Sequence, residues 1–165
     1  MTIAKLRDFC DADAPALNSV ALAAFEQFKT EYSDWQTMAG NVSKMSELAG
    51  SGEIIVADVD ERIAGGVAYV PGGRPKAAYF DQFWPIIRML VVHPTARGRG
   101  LGRALIEECI QKARRDKAPL IAMHTTPIMT VALPLYLRMG FKLLHETPRI
   151  CGVPYAVYTL PLSNS

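Results

Sequence analysis

The sequence predicts an α/β domain of the α+β kind, with a central mixed but mostly antiparallel sheet and about four flanking helices. Three observations carry this. The hydrophobic period switches from helical to alternating and back along the chain. The run "IIRMLVV", residues 86–92, is apolar on both faces except for Arg88, as expected of a strand in the middle of a covered sheet. From there to Gly140 the pattern reads strand, helix, strand, helix, and two strands follow. With 165 residues, 50% of them apolar, one domain spanning 1–165 can bury its own core.

The elements follow in order. A short strand is predicted over Ile3 to Phe9. Asp13 is placed as the N-cap of a first helix, with Pro15 in its first turn and Leu17, Val20, Ala21, Ala24 and Phe28 on one face. A second helix carries Trp35, Met38, Val42, Met45 and Ala49 and stops at Gly50 and Gly52. "EIIVADV" and "RIAGGVAYV", separated by Asp60 and Glu61, predict a tight antiparallel hairpin. After "PGGRP" comes the central strand. A long helix from Gly100 to about Asp116 has Leu101, Ala104, Leu105, Cys109 and Ala113 as its apolar stripe. "LIAMH" is a strand, Thr130 to Met139 a helix closed by Gly140, and "FKLLHE" and "YAVYTL" the last two strands.

Composition excludes several function classes. A net charge of +2 is far from the footprint of a nucleic-acid binder, and neither a membrane span nor a signal peptide is readable. Cys10, Cys109 and Cys151 are odd in number and fit no metal-ligand spacing, so no metal is expected and the reducing cytoplasm is the expected location.

The segment "ARGRGLGRALIEECIQKA" places a flexible, positively charged loop directly before a helix. A helix N-terminus presents unpaired N–H groups and about half a positive charge, which favours anions such as phosphate. Gly98, Gly100 and Gly102 let the backbone approach a ligand closely, and Arg97, Arg99 and Arg103 add charge. The segment lacks the NTPase signature G-x-x-x-x-G-K-[ST], and the dinucleotide frame G-x-G-x-x-G fails at Arg103.

Arg97, Gly100 and Gly102 supply the pattern [QR]-x-x-G-x-[GA], after a strand ending in the V-x-P step Val92, His93, Pro94. Ala132, Leu135 and Tyr136 then match an A-x-x-L-Y helix, and Gly140 and Phe141 a G-F step. In this order the motifs resemble the GNAT family of N-acetyltransferases. The resemblance implies a sheet splayed between its fourth and fifth strands, with acetyl-CoA in the wedge. It implies that Leu90 and Val92 hydrogen-bond the pantetheine arm and that Arg97, Gly98, Arg99, Gly100, Gly102 and Arg103 surround the pyrophosphate. Tyr136 takes the position of the tyrosine that protonates the departing thiolate. The acceptor implied is a primary amine of a small molecule or peptide, attacked directly in a ternary complex; a homodimer is compatible with such folds. The competing reading is a catalytically silent acyl-CoA-binding domain.

Two positions depart from the family pattern. Ile86 stands where many members carry a glutamate base, and Met129 where many carry an asparagine on the pantetheine arm. Pro134 is expected to distort its helix. Glu31, Asp34 and Asp81 are candidate bases near the acceptor cleft, although each reads first as a solvated surface charge. His93 is expected to shape the loop entrance, His124 to face the cleft, His145 to lie on the sheet surface and Cys109 to be core. The segments "QFKTEYSDW" and "ETPRICGVP", with the cluster around Trp84 and Pro85, are the expected acceptor-defining regions.

Overall fold

The computed structural model describes residues 4–162. Seven strands form one sheet: β1 (Lys5–Asp8), β2 (Glu53–Val59), β3 (Arg62–Val70), β4 (Ile86–Val92), β5 (Leu120–Thr125), β6 (Lys142–Ile150) and β7 (Val153–Pro161). Four α-helices accompany them: α1 (Ala14–Glu26), α2 (Trp35–Val42), α3 (Leu101–Arg115) and α4 (Ala132–Arg138). The strand order is β1-β2-β3-β4-β5-β7-β6, and β4–β5 is the one parallel pair. The mixed, mostly antiparallel architecture is therefore as the sequence predicts.

α3 covers one face of the sheet, burying Leu101, Leu105, Ile106, Cys109, Ile110 and Ala113 against β2, β3 and β5. Each of its larger apolar side chains contributes about 2 kcal/mol by leaving water. α1 and α2 cover the other face through Leu17, Val20, Phe25, Met38 and Val42. Asp60 and Glu61 both take positive φ, 53° and 63°, which gives the β2–β3 hairpin a two-residue turn matched to strand twist.

Several boundaries differ from expectation. β1 begins at Lys5 among the described residues, and Ile3 lies outside them. Phe28 falls in the turns after α1. Asp13 precedes α1, but its carboxylate makes no cap bond there; it accepts from the Cys10 N–H at 2.9 Å and pairs with Arg7 at 2.8 Å. The second helix ends at Val42 and resumes as a 3-10 helix over Met45–Gly50, where the Asn18 side chain accepts the Ser46 N–H. α4 starts at Ala132, so Pro134 sits in its first turn, where the missing N–H has no intrahelical partner to lose. The expected loop between the last strands shrinks to Cys151 and Gly152, with φ of 45° and 81°, because two positive-φ residues suffice to reverse the chain.

Candidate active site

β4 and β5 are in register only at Ile86↔Ala122 and Ile87↔Met123. Beyond that point β4 bulges. Gly66 pairs with Val91 and Ala68 with Arg88, so three steps of β4 oppose two of β3, and Met89 takes φ +56°. The bulge turns β4 away from β5 and leaves the β5-facing edge of residues 88–92 without a strand partner. A cavity of about 370 Å³ occupies the opening, walled by Leu90, Val92, the start of α3, the α4 segment and the end of α1.

The glycine-arginine loop forms the mouth of this cleft. Gly98 and Gly100 adopt φ of 79° and 75°, and a Cβ on either would meet nothing within 4 Å. Glycine is needed here for backbone conformation, and the space beside it is open to a ligand. The first helical bond of α3 runs from the Ala104 N–H to the Gly100 carbonyl at 3.1 Å, which leaves the N–H groups of Leu101, Gly102 and Arg103 free of that ladder. At Gly102 a Cβ would stand 3.7 Å from Leu90 and 3.8 Å from Leu135, between the two walls. Arg97 donates to the Gln27 side chain at 3.0 Å and so ties the loop to α1. Arg103 pairs with Glu107 at 3.0 Å. Arg99 is exposed and does not line the cavity; the other predicted residues, Leu90, Val92, Arg97, Gly98, Gly100, Gly102, Arg103 and Tyr136, all do.

Tyr136 is buried beside Phe141, their rings edge to face at 6.2 Å. Burial pushes its phenol well above the usual range, so it is a neutral proton carrier at pH 7. Among the described residues nothing accepts from its hydroxyl. A second cavity, of about 710 Å³, opens on the other side and shares Phe25, Leu90, Met129 and Tyr136 with the first. The two spaces thus meet at the bulge and the phenol.

His124 lines the larger cavity, as its strand-end position suggests. Its ring stacks on Tyr79 with centroids 4.3 Å apart, Nδ1 lies 3.2 Å from the Tyr79 hydroxyl and Nε2 lies 2.6 Å from the Thr147 hydroxyl. Burial, then Arg88 and His145, lower its pKa from 6.5 to about 4. Between those values the unfolded chain binds a proton that the folded chain refuses, so stability is full above pH 6.5 and falls toward pH 4. His124→Gln, which still offers hydrogen bonds to both hydroxyls, is expected to flatten that fall; urea midpoints measured from pH 7 to pH 4.5 check it. A slope equal to the parent's would remove His124 as its source.

Other expectations resolve as follows. Ile86 is 1% exposed in an apolar cluster with Val70, Phe80 and Val157, and no carboxylate replaces it there. Glu31, Asp34 and Asp81 do not line the larger cavity; Asp34 caps α2 through Thr37, and Asp81 accepts the Phe83 N–H. His93 caps the turn at Thr95, His145 is exposed on β6, and Cys109 is buried with its thiol pushed up to about 12. Trp84 packs on the apolar cluster, while its neighbours Tyr79 and Phe80 reach the cavity. The two acceptor-defining segments touch where the Ser33 N–H donates to the Cys151 carbonyl at 2.8 Å, and just beyond the second of them the Tyr155 hydroxyl lies 2.6 Å from that of Tyr32. The sequence did not single out Phe25, which looks like an ordinary helix residue, or the bulge at Met89, which has no side-chain signature, and Gln27, read as part of an acceptor-defining segment, lines the smaller cavity instead. Among the described residues no group of three His, Cys, Asp or Glu could hold a metal, and no helix is long and apolar enough to cross a membrane.

Solved structures share this architecture. A GNAT-family acetyltransferase from Brucella melitensis, in complex with acetyl-CoA, superposes with a TM-score of 0.67 at 23% identity, covering 98% of this chain and 90% of its own. A histone acetyltransferase and related acetyltransferase from Corynebacterium glutamicum gives 0.74 at 24% identity, covering 100% and 99%. A GNAT-family acetyltransferase from Elizabethkingia anophelis with acetyl-CoA bound gives 0.67 at 17%, covering 96% and 98%. At these identities the likeness is one of fold. The family model for the acetyltransferase (GNAT) family matches residues 16–141, from α1 through the glycine loop to the G-F step after α4. The chain belongs to the GNAT acetyltransferase family.

Proposed function

We propose that this protein is an acetyl-CoA-dependent N-acetyltransferase that acts on a primary amine of a small molecule or peptide by direct attack in a ternary complex. The observation that carries the reading is the meeting of two cavities at Phe25, Leu90, Met129 and Tyr136, one walled by an anion-binding helix start and the other lined by aromatic and polar groups. The smaller cleft fits the cosubstrate: open space beside Gly98 and Gly100, free first-turn N–H groups for the pyrophosphate, and the unpaired edge of β4 at Leu90 and Val92 for the pantetheine amides. Acetyl-CoA would supply the acetyl thioester. An N–H at the bulge near Leu90 is suited to polarise a carbonyl, and Tyr136 to give its proton to a thiolate.

The amine must arrive unprotonated, and Ile86 offers no base. His124, held neutral by burial and bonded through both ring nitrogens to the hydroxyls of Tyr79 and Thr147, is too weak a base for this step, so water in the open larger cavity is the group that receives the proton. Three free cysteines among the described residues suit a cytoplasmic setting.

Thermal shift with CoA tests the cleft, and release of free thiol over a panel of amines tests turnover. CoA at 100 times its Kd should stabilise the fold by about 2.7 kcal/mol, and pantetheine, which lacks the pyrophosphate, by much less. Equal stabilisation by both would remove the loop's assignment. Binding with no turnover on any amine would favour the silent acyl-CoA-binding domain.

A further inference from the structure

Arg88 is the one charge in an otherwise apolar central strand, and neither the binding of acetyl-CoA nor the transfer of its acetyl group calls on it. It is exposed, it lines the larger cavity, and among the described residues no carboxylate pairs with it. It shares the lining of that cavity with Tyr79, Phe80 and His124, the aromatic wall. Among the described residues its guanidinium is committed to no ion pair, so it stands available to an anion that enters the cavity.

The rest of the cavity sharpens this. Lys44 and Lys76 add positive charge, and Glu47 is the one carboxylate on the wall among the described residues. Lys76 is committed to the carbonyls of Pro71, Arg74 and Gln82 at 2.8 to 3.2 Å, so it straps the loop and is not free for a ligand. Glu47 is exposed on the 3-10 helix, three residues from Lys44. The floor is apolar, with Met38, Met45, Met89 and Met129 among its atoms. A dicationic or polycationic amine meets like charge here. An amine that brings an anion meets an unpaired guanidinium, and an apolar body meets thioethers, which adapt to irregular shapes. Arg88 lies two residues before Leu90, and both line the same cavity, so an anion on Arg88 and an amine at the junction fit neighbouring groups of one small substrate.

We propose that the acceptor is an apolar amino carboxylate, whose carboxylate pairs with the Arg88 guanidinium while its amine faces the junction at Leu90 and Tyr136. This rests on the acetyltransferase reading and narrows its acceptor. It also gives the basic wall a purpose that peptide or polyamine acceptors would not.

The test compares acceptors sharing one apolar body. Phenylalanine carries the carboxylate, phenethylamine lacks it, and the aminophosphonate analogue of phenylalanine carries a different anion; cadaverine serves as the dication. Thiol release should give a higher kcat/KM for phenylalanine than for phenethylamine or cadaverine. Arg88→Ala should lower phenylalanine kcat/KM by roughly 10- to 100-fold more than it lowers that of phenethylamine, as expected for loss of a charge-assisted pair. Arg88→Lys should recover part of that difference for the carboxylate. A parent preference for the aminophosphonate would reassign the anion to phosphate and overturn the carboxylate. Preference for phenethylamine or cadaverine, equal losses for both acceptors in Arg88→Ala, or no turnover of phenylalanine would overturn the proposal. CoA-induced thermal stabilisation, measured on the same preparations, separates the outcomes: its presence with a failed acceptor series rejects only the amino carboxylate, and its absence rejects the cosubstrate site itself.

Discussion

Gly100→Glu is expected to abolish measurable CoA binding while the protein stays folded. The substituted side chain has room, since a Cβ at this position meets nothing within 4 Å, but φ of +75° imposes a backbone penalty of about 1–2 kcal/mol on any L-residue. That penalty is a stability effect. The binding effect is separate: a carboxylate placed before the free N–H groups of α3 takes the position assigned to an anion and repels a pyrophosphate. Gly100→Ala carries the same backbone strain without the charge, so it should lower the melting temperature similarly yet retain most CoA affinity. Calorimetry on both variants is the check. Equal affinity losses would mean that loop conformation, not charge, governs the site, and undiminished binding by Gly100→Glu would move the phosphates elsewhere.

Tyr136→Phe should leave CoA affinity and stability near the parent values and lower kcat by roughly 10²-fold, the lower range of general-acid catalysis. The ring's packing against Phe141 is kept, and no hydrogen bond among the described residues is lost with the oxygen. Because only the leaving thiolate needs the proton, a thioester with a more acidic thiol should narrow the gap between the two enzymes. Single-turnover rates on both thioesters read this directly. Full activity of the variant would transfer the acid role to water or to another cavity group.

The elements with a strong internal period were legible in the sequence. α3 shows its buried positions at helical spacing, and the β2–β3 hairpin announces itself by two β-branched-rich runs on either side of Asp60 and Glu61. The glycine loop was legible because its left-handed backbone at Gly98 and Gly100 is one that glycine adopts without strain. Boundaries decided by tertiary contacts were not. The break after Val42 depends on Asn18, distant in sequence, and the start of α4 depends on where Pro134 can be tolerated. The bulge at Met89 was illegible for a different reason. Its strain is offset by the surrounding sheet, so a methionine occupies a conformation that its side chain does not favour.

The partition of the active site into two cavities also bears on how such a protein diverges. The smaller cavity draws its walls from β4, the start of α3, α4 and the end of α1, whereas the larger draws also on α2, the 3-10 helix after it, the loop before β4 and the β6–β7 hairpin. Only Phe25, Leu90, Met129 and Tyr136 belong to both. Substitutions in the walls of the larger cavity therefore leave the lining of the smaller one intact unless they fall at these shared positions. Under the proposed acetyltransferase function, a duplicated copy could change its acceptor through residues such as Met38, Lys44, Arg88 or Ile150 and keep its acyl donor throughout.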